Sequence, residues 1–197
     1  VTRLVLATRN RKKLVELDRI LRDAGVTVAL LTLDDVDVPE VVESGATFAE
    51  NAVIKATATA AATGLVAVAD DSGLAVEALS GMPGVLSARW SGAGATDESN
   101  LRLLLEQIAD VPDDRRGASF VCVAALATPS GQVHTVEGRV AGHLRREPVG
   151  EGGFGYDPIF VPEGHELTTA QMTAAQKDAL SHRGQAFRGI ARLLTAE

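Results

Sequence analysis

Short apolar runs alternate with amphipathic stretches along the first third of the chain, an alternation that predicts a β-α-β-α-β opening. Arg3-Leu4-Val5-Leu6-Ala7 reads as a strand. Leu14, Leu17, Ile20, Leu21 and Ala24 then recur at helical spacing until Gly25 ends the pattern. Val26 to Leu33 predicts a second strand, and the acidic stretch from Asp34 to Glu43, broken by Pro39, reads as a loop. Thr47 and Glu50 form a Thr-x-x-Glu capping box ahead of an Ala/Thr-rich helix that runs to Gly64. The run Leu65-Val66-Ala67-Val68-Ala69 predicts a buried strand that stops at Asp70-Asp71-Ser72-Gly73, where the chain is expected to open into a loop.

The pattern changes in the second half. Ser80-Gly81-Met82-Pro83-Gly84 breaks the chain before Val85 to Trp90, and Thr96-Asp97 caps a helix through Ile108 with Leu101, Leu104, Leu105 and Ile108 as its apolar stripe. Ala118 to Thr128 and Gln132 to Val140 are long β-prone runs joined around Pro129-Ser130-Gly131, the signature of a hairpin. A glycine-rich segment from Glu151 to Pro158 leads into Ile159-Phe160-Val161, and helical patterns follow around Thr173–Leu180 and Gly184–Leu194. This order implies an α/β fold, a mixed twisted β-sheet with flanking helices, carried by residues 1–197 as a single domain.

Hydrophobic residues make up 46% of the 197 positions and charged residues 23%, so the chain can bury a substantial core. A formal charge of -7 argues against a nucleic-acid partner, whose binding needs a broad basic face. A small anion needs only local cations, and these cluster at Arg9-Arg11-Lys12-Lys13 and around Lys177, His182 and Arg183. Cys122 is the only cysteine, which excludes an intrachain disulfide and fits a reducing cytoplasm. Leu4 to Ala7 is too short for a signal-peptide core and no run approaches membrane-spanning length, so a soluble protein with no membrane partner is expected.

Asp70 and Asp71 stand where open α/β sheets bind ligands, at an expected strand end. Adjacent side chains on extended backbone point to opposite faces, so the pair does not form one chelate; one serves a site while the other anchors the loop. Carboxylate oxygens suit Mg²⁺ and can activate water, although Asp-Asp-Ser-Gly is also good turn chemistry. Thr8-Arg9-Asn10-Arg11-Lys12-Lys13 links the first strand to the first helix. Backbone N–H groups and the helix dipole favour a phosphate there, and Lys13 is the best placed cation, while a solvated basic turn is the competing reading. Gly152 to Pro158 packs three glycines with Phe154 and Tyr156, which suits a base-stacking loop or a tight turn with both rings in the core. Histidines 134, 143, 165 and 182 lack metal-ligand spacing, which argues against zinc.

Together these segments resemble the inosine triphosphate pyrophosphatase, or Ham1-like, family over nearly the whole chain. The resemblance rests on Thr8-Arg9-Asn10 with Lys13, Gly45-Ala46-Thr47-Phe48 through Asn51-Ala52 and Lys55-Ala56, and Ala69-Asp70-Asp71-Ser72-Gly73-Leu74. It continues through Gly84-Val85, Ser87-Ala88-Arg89-Trp90, Gly153 to Pro158 and Ser181-His182-Arg183-Gly184. It implies Mg²⁺-dependent hydrolysis of ITP, dITP and XTP to the monophosphate and pyrophosphate, by a homodimer with a substrate cleft between two α/β lobes. It further implies Asp71 as general base and metal-site carboxylate, Glu43 as a metal-associated glutamate, and Ser72 as a substrate contact. Thr8, Arg9, Asn10, Arg11, Lys12, Lys13 and Lys55 match phosphate-binding positions, while Phe154, Gly155, Tyr156, Asp157, Lys177, His182 and Arg183 match those that hold the nucleoside. One departure is that Arg9 and Lys12 stand where the family commonly has glycine.

Overall fold

The computed structural model describes residues 2–195, without the side chains of Thr2 and Lys12. Six strands, β1 (Thr2–Leu6), β2 (Val28–Thr32), β3 (Val66–Val76), β4 (Gly117–Ala127), β5 (Val133–Leu144) and β6 (Phe160–Pro162), form one sheet in the order β2-β1-β3-β4-β5-β6. The sheet is mixed. β1 pairs in parallel with both β2 and β3, and β5 pairs antiparallel with β6. Helices α1 (Arg11–Asp23), α2 (Phe48–Thr63), α3 (Asp97–Gln107), α4 (Ala174–Leu180) and α5 (His182–Thr195) complete the fold, an α/β architecture in the expected element order. A turn in which Gly131 N–H donates to Thr128 O and Thr128 N–H to Gln132 O links β4 to β5 as the expected hairpin.

One expectation is corrected. β3 does not stop at Asp70 but runs on through Asp70-Asp71-Ser72-Gly73 to Val76. Leu74 and Val76 are fully buried, so the apolar pattern resumes beyond the polar residues and keeps the chain extended. The polar tetrad is therefore an interruption within a long strand.

The chain divides into two compact units, and β3, β4 and β5 each contribute residues to both. Among the described residues the first comprises 2–71, 122–138 and 182–195. Its core follows strand alternation: Leu4 and Leu6 of β1, Val68 of β3, and Cys122, Ala124 and Leu126 of β4 pack with Leu17, Ile20 and Leu21 of α1 and Ala186, Phe187 and Ile190 of α5. Even-numbered β3 positions in this unit therefore face α1 and α5. Gly138 of β5 admits the first turn of α5 so closely that a Cβ there would overlap the His182 carbonyl oxygen. The second unit comprises residues 72–121 and 139–181. Its core gathers Leu74 and Val76 of β3, Leu101, Leu104 and Ile108 from α3 and its C-terminal end, and Tyr156, Ile159 and Phe160. Phe120 meets Phe160 edge to face, 4.6 Å between centroids.

Local signals fix the helix that carries part of the site. Thr47 caps α2 by accepting the Glu50 backbone N–H, and Gly64 ends it in the left-handed conformation at φ 64°. Glu50 reaches back to the Ala46 N–H at 2.7 Å, one residue before the partner that a regular capping box would use. Thr47→Ala is expected to cost about 1 kcal/mol, the usual worth of an N-cap, and to lower Tm by roughly 2 to 4 °C in a chain of this size. Calorimetry checks this.

Candidate active site

The two faces of β3 separate Asp70 from Asp71. Asp70 is buried on the α1/α5 face, where Lys13 Nζ lies 2.9 Å from both of its carboxylate oxygens and Arg183 Nε lies 3.2 Å from Oδ2. The Cys122 thiol also donates to Oδ2, at 3.8 Å. Burial pushes the Asp70 carboxyl up, but Lys13 and Arg183 outweigh it and hold the group below the ordinary carboxylate range. For Arg183, burial opposes the charge and Asp70 more than restores it. Burial, reinforced by Asp70, pushes the Cys122 thiol far up, so it is inert as a nucleophile.

Asp71 faces the other way, towards α2. Asn51 donates from Nδ2 to Asp71 Oδ2 at 3.0 Å, and Lys55, one helical turn further along, places Nζ 4.0 Å from Asp71 Oδ1. The same ammonium lies 3.1 Å from Glu43 Oε2. Glu43 and Asp71 thus converge on a single cation, although the segment holding Glu43 is far from β3 in sequence. Among the described residues no group of three or more His, Cys, Asp or Glu side chains is arranged to hold a metal. Two hard carboxylates converging on one cation are nonetheless the donor set that suits Mg²⁺, which keeps several waters and takes its other ligands from phosphate.

The predicted phosphate loop enters α1 without an acidic residue in the first turn, so basic side chains stand against the helix dipole. Thr8 Oγ accepts the Asn10 N–H at 3.1 Å and the Asn10 carbonyl accepts from Leu14, which fixes the turn into the helix. Arg9 pairs with Asp34 at 3.5 Å while both remain exposed. Arg11 opens α1. Lys12 lies in it as well, with its side chain outside the described residues. His182 and Arg183 begin α5, against the close approach that Gly138 permits.

In the second unit Phe154 and Tyr156 split their directions. Phe154 is 72% exposed, whereas Tyr156 is buried with its hydroxyl donating to the Ser87 carbonyl at 2.9 Å. Asp157 organises this loop: Oδ2 accepts from the Phe154 N–H at 2.9 Å and from Lys177 Nζ at 2.7 Å, and Oδ1 accepts from the Thr169 hydroxyl at 2.7 Å. Lys177 Nζ also lies 5.8 Å from the Phe154 ring centroid, within cation–π range. Gly155 N–H donates to Asp97 at 2.8 Å. Gly153, at φ 81°, has no room for a side chain, because a Cβ would overlap Asp157 Oδ2. Ser72 belongs to this unit and is half-buried. The arrangement presents an aromatic face beside an ammonium.

Two residues of consequence had no role assigned from the sequence. Asn51, 1% exposed, contacts Asp71 across twenty positions, and Arg116, 2% exposed, sends its guanidinium to three carbonyls: Leu144 at 2.9 Å, Ile108 at 2.6 Å and Arg145 at 3.0 Å. A polar residue within the first turn of an alanine-rich helix was the available signal for Asn51. Arg116 had none, since a basic residue after Asp113-Asp114-Arg115 reads as a solvated charge run.

Among the described residues no helix is long and apolar enough to cross a membrane. Residues 4–193 match the model of the Ham1 family. A dITP/XTP pyrophosphatase of Streptomyces coelicolor is 56% identical over 191 residues, covering 96% of each chain. One of Nocardia farcinica is 58% identical over 198 residues, covering 100% of this chain and 96% of its own. Among solved structures, a HAM1 protein from Coxiella burnetii superposes with a TM-score of 0.93 at 41% identity over the whole of both chains. A nucleoside-triphosphatase/dITP/XTP pyrophosphatase from Mycobacterium abscessus gives 0.86 at 53% identity, covering 98% of this chain and 100% of its own.

Proposed function

This chain belongs to the Ham1 family, and from that premise we propose that it hydrolyses ITP, dITP and XTP to the monophosphate and pyrophosphate, removing deaminated purines from the nucleotide pool. The observation that carries this reading is the convergence of Asp71 and Glu43 on the Lys55 ammonium, a paired-carboxylate site with a cation suited to phosphate chemistry. Asp71 takes the proton from a water that attacks the α-phosphorus. The bond from that phosphorus to the α–β bridging oxygen breaks, and pyrophosphate leaves with the bond electrons. Lys55 offsets the charge that builds on the phosphate oxygens and on the leaving group. Glu43 and Asp71 would hold Mg²⁺, which when bound supplies further neutralisation of the phosphates. Thr8, Asn10 and the loop cations orient the triphosphate, and Ser72 adds a further contact to the substrate.

Phe154 supplies a stacking face for the base, worth about 1 to 3 kcal/mol and indifferent to base identity. Selection against adenine therefore falls to donors that pair with the 6-oxo group of hypoxanthine and xanthine, a role for which His182 and Arg183 are the candidates. We take the protein to act in the cytoplasm as a homodimer, with residues 1–197 as one catalytic domain.

The test is a product assay on ITP, XTP, GTP and ATP. Pyrophosphate and IMP are expected from ITP in a 1:1 ratio, with kcat/KM for ITP and XTP exceeding that for ATP by at least about 100-fold. Chelation with EDTA is expected to stop the reaction and excess Mg²⁺ to restore it. Release of orthophosphate in place of pyrophosphate, or equal rates on ATP and ITP, would overturn the reading.

A further inference from the structure

We infer that Asn51 is a positioning residue: its side-chain amide ties Asp71 to the backbone at Gly45 and so sets the carboxylate against the segment that carries Glu43. The inference rests on the proposed role of Asp71 and extends it to a residue with no assigned part in the chemistry.

The orientation of the amide follows from its partners. The Gly45 backbone N–H can only donate, so the Asn51 atom facing it at 2.8 Å is the carbonyl oxygen Oδ1. Nδ2 must then face Asp71, whose carboxylate Oδ2 accepts at 3.0 Å. With 1% of its surface exposed, the amide is shielded from bulk water, and leaving either end unmatched carries the cost of a buried unsatisfied group. One planar group thus spans two segments twenty-six positions apart.

The surroundings restrict the amide further. A Cβ on Gly45 would fall 2.6 Å from Glu50 Cβ and 2.8 Å from Asn51 Oδ1, so only glycine lets the loop approach α2 this closely. Ala46 N–H is held by Glu50 and the Glu50 N–H by Thr47, which staples residues 45–47 to the first turn of α2. Asn51 N–H donates to the Thr47 carbonyl and is itself part of that turn. Glu43 lies two residues before Gly45, and its carboxylate reaches Lys55, four residues after Asn51 on the same helix face. The Asn51 amide engages Oδ2 of Asp71, while Lys55 and, through it, Glu43 lie towards Oδ1. The Asn51 amide thus fixes the carboxylate through Oδ2, with Oδ1 turned towards Lys55. A carboxylate free to rotate about χ2 would spend much of its time misaligned, and misplacement of a reacting group by about 1 Å can cost 10²-fold in rate.

The test is a double-mutant cycle with ITP at saturating Mg²⁺. Asn51→Ser, whose hydroxyl is too short to reach Asp71, is expected to lower kcat roughly 10- to 100-fold while KM stays within about threefold of wild type. In an Asp71→Asn background, where no base remains to be positioned, the same change is expected to cost less than about twofold in the residual rate. Far-UV circular dichroism and thermal melting establish that each variant is folded at the assay temperature. Should Asn51→Ser fail to fold, Asn51→Ala carries the same comparison, because it too removes the donor to Asp71 and adds no charge beside the carboxylate. A folded Asn51 variant with wild-type kcat, or an equal fold-loss in both backgrounds, overturns the inference alone. An Asp71→Asn protein that keeps wild-type turnover overturns the assignment of Asp71 on which the inference rests.

Discussion

Asp71→Asn is expected to lower kcat for ITP by about 10² to 10⁴, the usual contribution of a general base, with little change in the thermal midpoint. The substitution is nearly isosteric. Its amide oxygen can still accept from Asn51 Nδ2, now at 3.0 Å from the carboxylate, so the link to Gly45 survives. Lys55 loses one of its two carboxylate neighbours, but the closer one, Glu43 at 3.1 Å, remains and keeps the ammonium paired. What disappears is the capacity to take a proton and the negative charge that would attract a divalent cation. The neighbouring Asp70 cannot take over, because its side chain lies on the opposite face of β3 and is held by Lys13 and Arg183. Pyrophosphate release by purified variant and wild type, with melting curves for both, decides the matter. A folded Asp71→Asn enzyme with more than about a tenth of wild-type turnover removes Asp71 from the role of base.

The contrast between Asp70 and Asp71 shows what periodicity can and cannot reveal. Alternation along an extended chain predicts that the two carboxylates diverge, and they do, one buried between two cations and the other turned to α2. The strand runs past the point where the pattern predicts its end for a related reason. Four polar or small residues look like a turn when read locally, yet Leu74 and Val76 reach the second unit's core and hold the backbone extended. Helix starts were legible because a cap is a local event: Thr47, Thr96 and Thr173 each accept from the residue three positions on. Phe154 and Tyr156 could not be told apart, since a glycine-rich loop has no period and only the Tyr156 partner, the distant Ser87 carbonyl, draws that ring inward. Motif resemblance pairs Asp71 with Glu43 and assigns Lys55 separately to phosphate; the contact of both carboxylates with Lys55 is not legible in the sequence, because no spacing rule joins a loop, a helix and a strand. Asn51, legible only as part of a motif, and Arg116 carry no role readable from the sequence, because the partners that give them one, Asp71 for Asn51 and Leu144 and Arg145 for Arg116, are remote along the chain.

Arg116→Met is expected to destabilise the protein by about 2 to 4 kcal/mol, since buried carbonyls lose a charged donor that methionine cannot replace. The guanidinium is buried and meets three backbone oxygens in a fork: Nε to Leu144, one terminal nitrogen to Ile108 and the other to Arg145. Ile108 follows α3, so the cation also sits at the negative end of that helix's dipole. Burial pulls the Arg116 pKa down, and Arg146 pulls in the same direction, yet arginine's ordinary value is so high that the group stays charged at any pH the protein meets. Two effects compete in the substitution. Removing a buried charge relieves its desolvation, and the Ile108 carbonyl retains the Val111 N–H as a second donor. Against this, the Leu144 and Arg145 carbonyls lose the donor that joins the end of β5 to the start of β4, and a thioether cannot donate to either. The buried Leu144 carbonyl left unsatisfied, at about 1 to 3 kcal/mol, together with the charged bond lost at the more exposed Arg145, outweighs the relief. At roughly 2 to 4 °C per kcal/mol for a chain of this size, Tm is expected to fall by about 5 to 15 °C. Arg116→Lys separates charge from shape: a lysine keeps the cation but has no planar fork, so it is expected to recover only part of the loss. Kinetic constants for ITP measured well below the melting transition are expected to match wild type within about twofold, because among the described residues the guanidinium's hydrogen bonds go to these carbonyls and to no residue of the proposed site. A methionine variant that melts with wild type would mean that the three carbonyls find other donors and that Arg116 contributes nothing to the fold.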